Sequence, residues 1–142
     1  MSRLNPARTP GRVTLITRLG ADKIDEHLPP LIRAVEGSGH PVVWACDPMH
    51  GNTFTSAGRK TRRFNDILSE LRAFFSLHRE AGTWPGGVHV ELTGDDVTEC
   101  LGGAEEIFED DLGARYTTTC DPRLNARQSL DLAFRVAEFL RV

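Results

Sequence analysis

The stretch that decides the fold is Val42-Val43-Trp44-Ala45-Cys46-Asp47-Pro48-Met49-His50-Gly51-Asn52. An apolar run breaks abruptly into polar, turn-forming residues. Two other segments have the same shape: Val13-Thr14-Leu15-Ile16-Thr17 ends in Arg18, and Val88-His89-Val90 ends in Glu91. Three strand-like runs, each delivering a polar or charged group at its C-terminal end, are the pattern of a parallel α/β site. The delivered groups are a cation, an imidazole and a carboxylate. They suit a site that holds a metal and an anionic substrate.

A helix is predicted over about 22–37, with Ile24, Leu28, Ile32 and Val35 on one face. Pro29-Pro30 inside it should split the segment or mark the true helix start. The strand at 41–45 leads into a polar loop with Lys60, Arg62 and Arg63 near its end. A long amphipathic helix over about 63–81 carries Phe64, Ile67, Leu68, Leu71, Phe74, Phe75 and His78 at helical spacing. A third strand is expected at about 87–92. An irregular crossing through Thr98–Gly103 and the acidic run Glu105–Asp111 follows, with a short helix in it. The last helix, about 125–141, should turn Leu130, Leu132, Ala133, Val136, Phe139 and Leu140 inward. Residues 1–11, rich in Arg, Pro and Gly, read as a connector or frayed end, and 12–142 as the folded unit.

Composition sets the outer bounds. The chain's 142 residues suffice for one core, and 39% hydrophobic with 26% charged residues is ordinary for a globular protein. A net charge of -3 gives no bulk reason to expect nucleic acid or an acidic membrane as partner. No apolar run approaches the roughly 20 residues of a membrane span, and the first residues lack the apolar core of a signal peptide. A cytoplasmic location follows as the expectation. Cys46, Cys100 and Cys120 make an odd count without a C-x-x-C pair, so buried or half-buried free thiols are expected rather than a disulfide framework.

Three strand–helix units are too few for a closed parallel barrel, which needs eight strands and about 250 residues. A three-stranded parallel sheet leaves two bare edges. The fold expected is therefore α/β: the C-terminal three βα units of a (β/α)8 barrel, incomplete as a single chain.

Each candidate residue has a plain reading beside the chemical one. His50 is a metal-ligand candidate or a hydrogen-bonded structural histidine. Glu91 is a ligand or a loop carboxylate. Asp121, in Cys120-Asp121-Pro122, is a ligand or a turn or helix-cap aspartate. Asp47 invites the same turn reading. His89 is expected on the strand face of Glu91, as a support for the site or as an interior histidine. Arg18 can bind phosphate or pair with a carboxylate. Lys60, Arg62 and Arg63, judged alone, read as a solvated cluster. One imidazole with two carboxylates is an N/O donor set suited to Mn²⁺, Co²⁺, Fe²⁺ or Zn²⁺.

Several long blocks carry a family resemblance. Leu15–Gly20, Trp44–Asn52, Pro85–Gly94, Thr98–Gly103 and Tyr116 through Asn125 resemble the C-terminal third of a type II (plant-like) 3-deoxy-D-arabino-heptulosonate 7-phosphate (DAHP) synthase, from about residue 10 to the end. The resemblance implies a (β/α)8 enzyme of the shikimate pathway. It condenses phosphoenolpyruvate with erythrose 4-phosphate, using a divalent metal such as Mn²⁺, Co²⁺ or Zn²⁺. C3 of phosphoenolpyruvate attacks the aldehyde, water adds at C2, and phosphate leaves with C–O cleavage.

By the same resemblance, His50, Glu91 and Asp121 match three of four metal ligands, and Arg18 matches an arginine that binds phosphoenolpyruvate. Lys60 and Arg62 lie in a Lys-Thr-Arg block and are assigned to substrate binding. The fourth ligand is a cysteine from a segment this sequence does not contain, as are further substrate-binding cations. Cys46 and Cys120 are not substitutes for it. The implied partners are the two substrates and a complementary N-terminal barrel chain or a homo-oligomer. The alternative is a non-catalytic remnant or docking module that binds an intact or split synthase.

Overall fold

β-branched and apolar runs form the first two strands of the sheet, and the chain adds a third at Pro85-Gly86-Gly87-Val88. The structure is a computed structural model that describes residues 1–141, so Val142 of the expected unit lies outside the described residues. β1 (Thr14–Thr17), β2 (Val43–Cys46) and the strand Pro85–Val88 form a parallel sheet with β2 in the middle. Thr17 sits opposite Cys46 and Cys46 opposite Val88, so all three strands run out at one end. Side chains alternate across a strand. Leu15, Trp44 and Cys46 therefore face the helices, while Ile16, 47% exposed, lies on the open face.

α1 (Ile24–Ser38) and α2 (Phe64–Glu80) bury the stripes their spacing predicts: Ile24, Leu28 and Ile32 on α1, and Phe64, Ile67, Leu71, Phe74, Phe75 and His78 on α2. Pro29 and Pro30 do not split α1. Each removes one backbone donor, and the helix continues because its buried residues on both sides of the pair pack into one cluster. His78 packs against Trp44 and Phe74, and burial pushes its imidazole down to a pKa of about 4.

Four expectations are corrected. The polar loop after β2 contains a hairpin, β3 (Phe54–Ser56) with β4 (Arg59–Thr61), closed by Ala57-Gly58, both at positive φ. This is the backbone twist a two-residue hairpin turn needs. The third parallel strand, β5, ends at Val88, because its partner β2 ends at Cys46. Glu91 thus stands beyond the strand, and the chain is next caught by an isolated bridge between Leu92 and Leu124. His89 donates its backbone N–H to the Cys46 carbonyl and is exposed, so it is not an interior histidine. On α3 (Ala126–Phe139), Leu132 is buried, but Leu130, Ala133 and Leu140 face out. The helix buries the 128–132–136–139 stripe and presents a second apolar line, Leu130 with Phe134, away from the core.

Residues 1–11 carry a local tie. The Asn5 amide, 1% exposed, donates to the Thr9 carbonyl and accepts from the Thr9 N–H.

Candidate metal and anion site

All the site candidates lie at the end of the sheet where the strands run out. Arg18 follows β1 directly, Asp47 and His50 follow β2, and Glu91 follows β5. Two glycines let the first two loops meet. A Cβ on Gly51 would lie 2.5 Å from the Gly20 amide nitrogen, so only hydrogen fits between the Arg18 loop and the His50 turn.

Asp47 organises that turn. It is wholly buried, and its Oδ1 accepts the backbone N–H groups of Met49 (3.0 Å) and His50 (3.1 Å). This is the expected turn role. Its Oδ2 does more, contacting His50 Nδ1 at 2.7 Å and Arg18 Nε at 3.0 Å. His50 Nε2 then faces Glu91 Oε1 at 3.5 Å.

A second buried carboxylate, Glu70 on α2, supports the same loops from below. Oε1 accepts the N–H groups of Leu19 and Gly20, and Oε2 accepts from the Asn52 amide. Burial raises the pKa of Glu70, although those hydrogen bonds oppose the shift.

Asp121 arrives by the long crossing, which is pinned by two buried charges. Glu99, wholly buried, accepts the N–H groups of Thr117 (3.1 Å), Thr118 (2.8 Å) and Arg123 (2.8 Å), and pairs with the Arg123 guanidinium at 2.7 Å. Burial alone would raise its pKa, but the Arg123 side chain and these N–H groups outweigh burial and hold it below the usual carboxylate range. Arg62 is wholly buried as well, which corrects the reading of a solvated cluster. It donates to Thr53 Oγ1 (2.8 Å), to Glu91 Oε2 (2.6 Å) and to the Pro122 carbonyl, tying Glu91 to the residue after Asp121. Lys60, which is exposed, reaches Asp121 Oδ1 at 3.1 Å and lowers its pKa, with help from the Cys120 thiol. Asp121 is not the helix cap. That role belongs to Asn125, which accepts the Gln128 N–H.

The result is one charged cluster. His50, Glu91 and Asp121 each offer a ligand atom within 4.8 Å of the others. Three carboxylates are each matched to a cation: Asp47 to Arg18, Glu91 to Arg62 and Asp121 to Lys60. The donor set fits a divalent cation, because the two carboxylates supply charge and the imidazole has one nitrogen fixed by Asp47 and the other turned inward. An open pocket beside it is lined by Val90, Glu91, Leu92, Thr118, Cys120, Asp121 and Arg123. Cys46 and Cys100 are buried thiols, and burial pushes Cys100 up to about 12; Cys120 is exposed, contrary to expectation.

The structure brings the sequence candidates His50, Glu91 and Asp121 together, with Arg18 on the neighbouring loop, beside supporting carboxylates that the sequence does not announce. Glu70 was visible in principle, as a charged residue three after Ile67 on the buried stripe of α2. Glu99 leaves no comparable local signal.

The class-II DAHP synthetase family model matches residues 1–137. Among similar proteins, the phospho-2-dehydro-3-deoxyheptonate aldolase of Streptomyces coelicolor is 62% identical over 142 residues, covering 99% of this chain and 32% of that protein. The Mycolicibacterium smegmatis protein of that name is 57% identical, covering 99% and 31%. A Streptomyces lividans protein, also so named, is 61% identical over 144 residues, covering 99% of this chain and 97% of that one. The chain spans about a third of the length of the first two relatives. A family match over nearly the whole chain, together with these identities, establishes that it belongs to the class-II DAHP synthetase family.

Proposed function

We propose that the chain is the C-terminal part of a 3-deoxy-7-phosphoheptulonate synthase, a transferase of the shikimate pathway that condenses phosphoenolpyruvate with erythrose 4-phosphate. The convergence of His50, Glu91 and Asp121 within 4.8 Å carries this reading. Loops following two different strands and a long crossing deliver these donors to one point.

In this reading the three units belong to a (β/α)8 barrel, and a complementary N-terminal part supplies the remaining strands and the cysteine ligand. The bare β1 and β5 edges and the open sheet face with Ile16 are the surfaces that part would cover. His50 Nε2, Glu91 and Asp121 hold a divalent ion, Mn²⁺, Co²⁺ or Zn²⁺, which when bound supplies Lewis-acid polarisation of an aldehyde oxygen.

Arg18 keeps its Nε on Asp47, and among the described residues its terminal nitrogens have no partner, so they can take a carboxylate or phosphate of phosphoenolpyruvate as a fork. Lys60, exposed beside Asp121, is the second cation within reach of a phosphorylated substrate. Arg62 lies behind Glu91 and serves the substrates by holding that carboxylate in place. Both substrates are phosphorylated metabolites, which puts the reaction in the cytoplasm.

The test is phosphoenolpyruvate consumption with erythrose 4-phosphate and Mn²⁺. It compares this chain alone with this chain plus the first two thirds of the Streptomyces coelicolor relative. The expected result is activity in the mixture alone, abolished by His50→Ala. A silent mixture, under conditions where the intact relative turns over, would overturn the proposal.

A further inference from the structure

One buried carboxylate touches both halves of the candidate site. Asp47 Oδ2 lies 2.7 Å from His50 Nδ1 and 3.0 Å from Arg18 Nε, while Oδ1 is fully used by the N–H groups of Met49 and His50. Asp47 is 0% exposed, so water does not compete for these oxygens. The Gly20–Gly51 approach brings the Arg18 loop against the turn that carries both Asp47 and His50, so neither can shift without the other.

We propose that Asp47 is a positioning residue that sets the imidazole tautomer of His50 and the aim of Arg18 together, coupling the cation site to the anion site. With Asp47 Oδ2 accepting at 2.7 Å, the ring proton sits on Nδ1. The lone pair then sits on Nε2, the nitrogen that faces Glu91 Oε1. This is the tautomer a metal ligand needs, and it is present before any ion arrives. The same oxygen also pairs with the Arg18 guanidinium at 3.0 Å, which holds that charge beside the turn. The inference rests on the proposed cation and anion roles of His50 and Arg18, but the tautomer itself does not depend on them.

Asp47→Asn is the informative change, because it keeps shape and replaces one acceptor oxygen by a donor. With its carbonyl oxygen on the Met49 and His50 N–H groups, the new NH₂ meets His50 Nδ1 and Arg18 Nε. Nδ1 must then accept, the proton moves to Nε2, and Arg18 loses its anchor.

The experiment is ¹⁵N NMR of the full chain labelled at histidine and arginine, with Mn²⁺ titrations of the wild type, Asp47→Asn and His50→Ala. The expected results are an Nδ1–H tautomer for His50 in the metal-free wild type, an Arg18 Nε chemical shift that moves in Asp47→Asn, and at least a tenfold loss of Mn²⁺ affinity in Asp47→Asn. An Nε2–H tautomer in the wild type overturns the inference. So does a folded Asp47→Asn chain with wild-type affinity. Wild-type Mn²⁺ binding that His50→Ala leaves intact would instead refute the metal role of His50, while the wild-type tautomer still judges Asp47. Should Asp47→Asn fail to fold, that wild-type tautomer alone decides.

Discussion

The turn that carries His50 and the crossing that carries Asp121 meet at one point, but they are held there in opposite ways. The turn is local: the strand ends at Cys46, Asp47 caps the next two N–H groups, and His50 is four residues past the strand. The crossing has no regular sheet to hold it. Glu99 and Arg62 fix it through contacts between residues 18 to 60 positions apart. A short turn can be specified by the backbone needs of its own residues. A long excursion pays a larger ordering entropy and needs buried charge pairs to return to one place. The geometry of the Asp121 side should therefore be the more fragile of the two.

The largest expected effect breaks the crossing. Arg62→Ala leaves Glu91 and the Pro122 carbonyl without their donor, and loss of one partner of a buried pair costs about 3–5 kcal/mol. Urea unfolding followed by circular dichroism measures this, and a loss no greater than that of a surface substitution would contradict it.

Glu99→Gln should cost about 2–3 kcal/mol at neutral pH, since the Arg123 pair and several backbone acceptor contacts go with the charge. The folded pKa of Glu99 is depressed below its ordinary value of 4.5. Its contribution is therefore full above that value and is lost as pH falls through the folded pKa. Urea midpoints taken from pH 7 downward should show the gap between wild type and variant closing in acid.

On the side of the turn, Gly51→Ala forces a Cβ against the Gly20 nitrogen and should cost about 1–2 kcal/mol, with His50 displaced rather than Asp121. Amide chemical shifts of residues around 47–52 compared with 117–123 locate the disturbance. The smallest effect is that of Lys60→Ala, which removes an exposed pair with Asp121. It should leave the unfolding midpoint unchanged while returning the Asp121 pKa toward its ordinary value, readable by carboxyl ¹³C titration.

The same contrast explains what could be read in advance. The strand-to-turn switch at Cys46-Asp47-Pro48 and the helical spacing on α2 are local signals, and both appear where periodicity puts them. The alternation of Val88-His89-Val90 puts the third strand too late in the chain, whereas pairing is set by the partner: β5 starts at Pro85 opposite Trp44 and stops at Val88 opposite Cys46. Leu130 and Leu140 face out because α3 carries two apolar lines, and periodicity does not say which one meets the core. A Lys-Thr-Arg-Arg run looks solvated in sequence, because it gives no sign that Glu91 and Pro122, 29 and 60 residues away, converge on the Arg62 guanidinium. Asp47 was seen as a turn residue, which it is; its contacts to His50 and Arg18 became visible only with the fold.

The most direct measurement is a Co²⁺ titration of the full chain, followed by visible absorption, for the wild type, His50→Ala and Asp121→Ala. The account predicts one equivalent bound by the wild type, with binding lost in both variants, because turn and crossing build a single site. Binding that survives Asp121→Ala would contradict it.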